Sequence, residues 1–189
     1  MIVRLSRPRR ELTILNFEMI EKPPGIQPEI REISAAETLP LRLSILRPGR
    51  PIETAHFPGD DAPDTRHFGA FQGGQLHGIA SLFRGQCPEQ PGVPAFQIRG
   101  MATAPEIRGA GLGRALVKAC VAYAREKPAD LIWCNARKMA VGFYQKLGFT
   151  ILGDEFEIQD VGPHFRMFLP LSRNNAVDLD RGTGDRETG

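Results

Sequence analysis

The chain has little of what disulfide-stapled, metal-bound or membrane proteins depend on. Cysteine occurs three times in 189 residues, as Cys87, Cys120 and Cys134, an odd number with no C-x-x-C spacing, which argues against a disulfide framework or a zinc ribbon. Cys120 and Cys134 lie inside apolar runs, where a free thiol behaves as a small hydrophobe, and all three suit a reducing cytoplasm. The four histidines, His56, His67, His77 and His164, lack the close pairing of a helical metal site, so no metal is expected. No apolar run approaches the ~18 residues of a membrane span, so no membrane partner is expected. Excess charge is small as well. The formal net value is +2, and much of it sits in Arg4, Arg7, Arg9 and Arg10, which argues against nucleic acid as a partner while allowing an anionic small ligand.

What the chain does have is glycine and proline, 20 and 16 residues, punctuating an alternation of strand and helix patterns. Its 189 residues, 41% hydrophobic and 24% charged, suffice for one soluble domain burying about 70% of its unfolded surface. The opening stretch MIVRLSRPRRELTILNFE is Arg-rich and acid-poor at its start but lacks the apolar core of a secretory signal, and Met19 offers an alternative start. Residues 1–28 are expected to form a flexible extension, 29–171 the folded domain, and the polar 172–189 a disordered tail.

Within the domain, EIREIS alternates as a strand does. Ser34 and Glu37 have capping-box spacing and open a helix whose apolar line runs through Leu39, Leu43 and Leu46, with Pro40 blurring its start. The loop RPGRPIETAHFPGDDAPD is long enough to serve more than connection. TRHFGAFQ and QLHGIASLF flank Gly73–Gly74, a pair suited to a tight hairpin turn. AFQIRGMAT reads as a further strand in which Gly100 marks a bulge or a close backbone approach. From Leu112 a helix presents Ala115, Leu116, Ala119, Cys120 and Tyr123 on one face. DLIWCNA reads as a buried strand, KMAVGFYQKLGF as a helix closed by Gly148, and TILGDEFEIQ with HFRMFLPL as an antiparallel pair.

The stretch RGAGLGRAL, residues 108–116, puts glycine at 109, 111 and 113 immediately before the helix that starts at Leu112. The first N–H groups of a helix have no intrahelical partner and its dipole is positive there, so this junction suits an anion, phosphate above all. Glycine removes the β-carbons that would hinder close approach, and Arg108 and Arg114 add charge-assisted hydrogen bonds. The same glycines would also serve a turn that merely packs the helix on the sheet. A Walker loop ends in G-K-S/T, whereas Gly113 precedes Arg114 and Ala115, and a dinucleotide fingerprint begun at Gly109 needs glycine where Arg114 stands. Neither pattern fits.

Arg108, Gly111 and Gly113 do match the Q/R-x-x-G-x-G/A loop of the GCN5-related N-acetyltransferase (GNAT) family, which the chain resembles from residue 29 to 171. The bulged strand before the loop and GFYQKLGF at 142–149 extend the likeness, and LRLSILRPGRP, the GDD loop, RH and GPHFRM look similar to the bacterial ElaA-like branch. The resemblance implies an α/β fold of GNAT type: a mixed, mostly antiparallel sheet of about six to seven strands, the fourth bulged, with flanking helices. It implies a cytoplasmic monomer or homodimer that takes acetyl-CoA as co-substrate and a small amine-bearing acceptor as partner. By the same carry-over, Met101, Ala102 and Thr103 pair with the pantetheine arm, while Arg108, Gly109, Ala110, Gly111, Leu112, Gly113 and Arg114 cradle the diphosphate. Tyr144 falls at the family's usual general acid. Where the family often has Asn seven residues earlier, this chain has Arg137, so Arg137 and Asn135 are both candidates for that contact.

Acetyl transfer needs a neutral amine, a polarised thioester carbonyl and a proton for the departing thiolate. A tyrosine with an ordinary pKa of ~10 supplies that proton readily, although Met139, Phe143 and Leu147 make a core role for the Tyr144 ring an alternative. The base stays open between His164 and Glu155, with Glu157 on the same strand face. Asp61 and His67, with Asp60 beside them, are candidates for acceptor binding. Two other functions compete: a non-catalytic acyl-CoA-binding regulator, and a dinucleotide oxidoreductase that Arg114 disfavours.

Overall fold

The computed structural model describes residues 28–171. The extension over 1–28, apart from its last residue, and the tail over 172–189 lie outside the described residues. Strand β1, Glu29–Ile33, leads into α1, Ala35–Leu41, through a complete capping box. The Ser34 hydroxyl accepts the Glu37 N–H at 3.3 Å and the Glu37 carboxylate accepts the Ser34 N–H at 2.8 Å, so two orphan donors are satisfied at once. Pro40 lies inside α1, and directly beyond it the helix widens into a π turn, Arg42–Leu46, closed by the Arg47 N–H on the Arg42 carbonyl at 3.0 Å. A proline in a helix removes one i to i−4 bond and displaces the carbonyl before it, which leaves the expected apolar line out of phase. Leu39, Leu43 and Leu46 are only half-buried, whereas Thr38 and Arg42, four apart, are fully enclosed.

The hairpin of β2, Arg66–Gln72, and β3, Gln75–Arg84, turns at Gly73–Gly74. There follow β4, Ala95–Thr103; α2, Leu112–Arg125; β5, Leu131–Arg137; α3, Val141–Gln145; β6, Thr150–Ile151; β7, Phe156–Ile158; and β8, Gly162–Pro170. The sheet runs β1-β2-β3-β4-β5-β8-β6, with β7 also paired to β8. Its single parallel pair among the described residues, β4 with β5, is bridged by α2 as a parallel crossover requires. Among the described residues the sheet has eight strands where about six to seven were expected, because TILGDEFEIQ is not one strand: it breaks at Gly153 into β6 and β7, which share one edge of β8. Among the described residues no helix is long and apolar enough to cross a membrane.

Helix α2 buries Leu112, Leu116, Val117, Cys120, Val121 and Ala124 against Phe68, Leu82, Phe96, Ile98 and Ile132 of the sheet, each large side chain contributing about 1.5–3 kcal/mol. Strand β5 is apolar on both faces because both are covered: Ile132 and Cys134 lie in the α2 core, Leu131 and Trp133 in a second cluster with Cys87 and Ala95. Burial pushes the Cys134 thiol up to about 12 and the Cys120 thiol further, so both stay protonated. The turn that follows α3 closes as expected at Gly148, with Gly148 N–H on Gln145 O at 2.9 Å and Phe149 N–H on Tyr144 O at 3.1 Å.

On the opposite face a buried ion pair ties the elements together. Arg42 grips both carboxylate oxygens of Asp60 at 2.6 and 2.9 Å and also donates to Ala55 O at 3.0 Å and Ser81 Oγ at 2.8 Å. His67 closes the network: Nε2 meets the Asp60 carbonyl at 3.0 Å and Nδ1 meets Ser81 Oγ at 2.7 Å. A carbonyl only accepts, so Nε2 carries the hydrogen and Nδ1 accepts from Ser81, whose oxygen in turn accepts from Arg42. Burial alone would raise the Asp60 carboxyl, but the Arg42 bond, the Phe57 N–H and the Arg42 charge hold it below its ordinary value.

Replacing Arg42 strands a buried carboxylate, so Arg42→Met is expected to cost about 3–5 kcal/mol in urea denaturation. A carboxyl whose folded pKa is depressed adds stability above its unfolded value, and that stability is lost as pH falls through the folded one. Wild-type stability should therefore decline on acidification below about pH 4, and Asp60→Asn should remove that part of the decline.

Candidate functional site

The β3–β4 register slips at Ala80: Ser81 faces Arg99 and Ile79 faces Ala102, so Gly100 and Met101 share one partner position. Gly100 has φ +58°, and a β-carbon there would stand 2.8 Å from the Phe57 ring and 3.1 Å from Arg42 Nε. The bulge therefore rests directly on the Arg42 network, and glycine is needed both for its backbone and for its contact. Beyond it β4 and β5 part. Their ladder ends at Ile98 with Cys134, while β5 stays paired to β8 as far as Arg137 with His164. Residues 99–103 and 135–137 thus face each other across a cleft of about 600 Å³, with unpaired backbone on facing edges. Such edges suit an extended, amide-bearing ligand laid between them like a strand.

At one end of the cleft a single 3-10 turn, Pro105–Ile107, precedes the glycine loop. Gly111 caps α2 with φ +83°, and the first helical bond is Ala115 N–H to Gly111 O at 3.0 Å. The N–H groups of Leu112, Gly113 and Arg114 are left without helical partners, as an anion site requires. The three glycines differ in role. A β-carbon at Gly109 or Gly111 would meet nothing, so positive φ accounts for both, whereas one at Gly113 would lie 3.2 Å from Met101 Cε and 3.3 Å from Phe143 Cζ. Gly113 lets α2 pack closely against β4 and α3.

Met101, Ala102, Thr103, Arg108, Asn135, Arg137, Tyr144 and His164 all line the cleft. The Tyr144 ring is buried edge-on between Phe143 and Phe149, with centroids at 5.0 and 5.3 Å, and its hydroxyl donates to Met101 Sδ at 3.3 Å. It is at once a core aromatic and a cleft residue. Burial, with Cys134 and Cys120 adding to it, pushes its phenol well above the ordinary value expected from the sequence, so the hydroxyl holds its proton in the resting site and is a weaker acid than a free tyrosine. Asn135 Oδ1 accepts from Arg166 Nε at 3.3 Å, and Arg166 is itself fixed by Glu89 at 2.9 Å, which leaves the Asn135 amide nitrogen to donate.

The candidate bases separate. His164 is buried, and its Nδ1 meets the Gly162 carbonyl at 2.6 Å; that hydrogen bond puts the proton on Nδ1 and leaves Nε2 with the lone pair. Glu155 is exposed, outside the cleft lining, and paired to Lys138 at 2.8 Å. His67 is outside the lining too, buried with both ring nitrogens engaged in the Arg42 network, and Asp61 is exposed beyond it. The sequence reading missed Arg42, Arg47, Phe57, Ser81 and Arg99. The signal available was the arginine in LPLRLSIL, a charge within an otherwise apolar run that burial can retain only with a partner. Among the described residues no group of His, Cys, Asp and Glu is placed to hold a metal ion.

Comparison with known proteins gives a consistent result. The sequence profile of the acetyltransferase (GNAT) family matches residues 32–149. An uncharacterized N-acetyltransferase of Bacillus subtilis, YitI, is 36% identical over 143 residues, covering 76% of this chain and 96% of the relative. Among solved structures, a chain of the NatC complex bound to Gag peptide and CoA superposes with a TM-score of 0.63 at 16% identity, over 78% of this chain and all of that one (100%). Escherichia coli ElaA gives 0.54 at 18% identity, over 75% and 98%; at these identities the likeness is one of fold.

Because the Gly111 β-carbon meets nothing but its φ is positive, Gly111→Val should fold with a strain of about 1–2 kcal/mol while distorting the donors at the start of α2. Calorimetry is expected to show CoA affinity reduced about tenfold or more. Unchanged affinity in the folded variant would place the diphosphate elsewhere.

Proposed function

The chain belongs to the acetyltransferase (GNAT) family and is an acyltransferase, and from that premise we propose that it moves the acetyl group of acetyl-CoA to a primary amine by direct attack within a ternary complex. The observation that carries this reading is the parting of β4 from β5 after Ile98 and Cys134, with the Tyr144 hydroxyl on the cleft so formed. Acetyl-CoA would supply the activated acyl group; the chain's own groups supply the rest. The N–H groups at the start of α2, with Arg108 and Arg114, suit the diphosphate. The open edges at 101–103 and 135–137 suit the amides of the pantetheine arm, with the Asn135 amide and Arg137 at hand.

A bulge leaves one residue out of the ladder, so a backbone N–H at Gly100–Met101 is free to polarise the thioester carbonyl. As the amine nitrogen bonds to that carbon and the carbon–sulfur bond breaks, Tyr144 gives its proton to the sulfur and later regains one from solvent. Its weak acceptor, the Met101 thioether at 3.3 Å, holds the hydroxyl in place without competing strongly for the proton. His164 Nε2 is the base candidate best supported by geometry, since the Gly162 carbonyl fixes the tautomer. The buried, free thiols of Cys87, Cys120 and Cys134 suit a reducing cytoplasm.

Tyr144→Phe keeps the ring contacts and removes only the proton donor. Turnover, followed as free-thiol release from acetyl-CoA, should fall by about 10² to 10⁴ while acetyl-CoA affinity stays unchanged. Full turnover in the variant would reduce Tyr144 to a core aromatic. Acetyl-CoA binding without thiol release from any amine in the wild type would favour a non-catalytic acyl-CoA-binding regulator instead.

A further inference from the structure

We propose that the acceptor is a small amine that also carries an anionic group, a carboxylate or a phosphate, held by Arg47 and Arg99; this rests on the acetyltransferase reading of the cleft. Among the described residues, the charged side chains lining the cleft are Arg47, Arg99, Arg108 and Arg137, and neither Asp nor Glu lines it. Elsewhere arginines meet carboxylates: Arg42 with Asp60, Arg50 with Asp160, Arg66 with Glu32, Arg84 with Asp64 and Arg166 with Glu89. The cleft arginines have no ion pair among the described residues. Acids near the rim are already engaged. Asp160 is held by Arg50 at 3.5 Å, Glu155 by Lys138 at 2.8 Å, and both Asp60 oxygens by Arg42. Glu157 alternates away from Ile158, the residue of β7 that lines the cleft.

Arg108 opens the glycine loop and Arg137 ends β5, on the half assigned to the acyl donor. Arg47 and Arg99 belong to the other half, on the Phe57 side of the bulge, with guanidinium carbons 5.9 and 5.2 Å from the Phe57 ring centre. That ring already carries Arg42 at 4.0 Å, so one aromatic group serves three cations and neutralises none. Arg99 is also set over Phe83 at 4.7 Å, which fixes its direction, and among the described residues its guanidinium makes only one hydrogen bond, a long one to Pro58 O at 3.4 Å. Arg47 donates to Leu46 O at 3.0 Å. Most of the five N–H donors on each guanidinium thus remain unused. Burial pushes both arginines below their ordinary value, Arg137 and Arg50 adding to the effect on Arg47, while on Arg99 the charge of Asp60 works against it. Desolvated, oriented and unpaired cations are stabilised when an anion reaches them.

The same charges act on the nucleophile. A polyamine meets like charge here and is disfavoured, whereas an anionic amine is attracted. Two guanidiniums beside its ammonium lower that group's pKa, so the neutral amine forms without a carboxylate base in the cleft. Its nitrogen bonds to the acetyl carbon, the carbon–sulfur bond breaks, the sulfur takes the Tyr144 proton, and the amine proton leaves to His164 or water.

The test measures free-thiol release at saturating acetyl-CoA for matched amines: the standard α-amino acids and phosphoethanolamine against amino-acid amides, ethanolamine and spermidine. An anionic amine is expected to be acetylated with kcat/KM at least about 30-fold above its uncharged counterpart, and whichever anion wins identifies the source. Arg47→Gln and Arg99→Gln should each raise KM for that amine far more than they lower kcat, with acetyl-CoA affinity within about twofold. Arg99 packs against two rings, so Arg47→Gln remains informative should the other variant fold poorly. Equal or better use of amides, ethanolamine or spermidine overturns the proposal and leaves the acetyltransferase reading standing. Silence from every anionic amine at millimolar concentration, with acetyl-CoA bound, overturns it too. Failure to bind acetyl-CoA is a separate result, which removes the acetyltransferase reading and this proposal together.

Discussion

The Arg42–Asp60 pair is the interaction on which the cleft depends, because it occupies the space beneath the bulge and joins the π turn after α1 and the long loop to the β2–β3 hairpin. Arg42 comes from the π turn after α1, Asp60 from the long loop, Ser81 from β3 and His67 from β2. Each hydrogen bond to a charged group contributes about 1.5–3 kcal/mol, against the several kcal/mol that removing each ion from water costs. Such a pair is poor evidence for stability and better evidence for position. Here it positions Phe57 over the Arg42 guanidinium at 4.0 Å, and Phe57 in turn lies where a β-carbon on residue 100 would go.

From that contact the rest of the site follows. Glycine at 100 lets β4 bulge, the bulge turns β4 away from β5, and both strands keep partners on their outer sides, β3 and β8. A cleft between two otherwise well-paired strands is rigid, which suits a site where atoms must be held to within fractions of an ångström. Helix α2 begins where β4 leads into the glycine loop, and α3 brings Tyr144 up from the core on the same side of the sheet. The cleft therefore has a helix N-terminus at one end, open strand edges in its middle and a pair of arginines, Arg47 and Arg99, beyond the bulge.

Much of this was legible in the sequence, and the limits are physical. Local signals read well: the Ser34–Glu37 capping box, the Gly73–Gly74 turn, the Gly100 bulge and the close of α3 at Gly148 are all decided within a few residues. The division of TILGDEFEIQ was missed because alternation continues across Gly153 while the hydrogen bonds do not. The Arg42 network was missed because its partners are 18 and 39 residues apart in the chain, and spacing along the sequence does not report such pairs. Arg42, Asp60 and His67 belong to the stretches that carry the likeness to the ElaA-like branch; in the fold they form one buried cluster, and His67, a candidate for acceptor binding, is not among the residues that line the cleft.

The division of labour in the cleft is electrostatic as much as steric. In the proposed division, helix N–H groups with Arg108 and Arg137 serve the acyl donor and Arg47 and Arg99 serve the acceptor, while Asp160 and Glu155 are held in ion pairs outside the lining. A crystal structure with bound acetyl-CoA tests the central claim most directly. The account predicts the diphosphate on the N–H groups at the start of α2, the pantetheine arm between residues 101–103 and 135–137, and the thioester sulfur within about 3.5 Å of the Tyr144 hydroxyl. A cofactor lying outside the gap between β4 and β5, or a sulfur far from Tyr144, would contradict it.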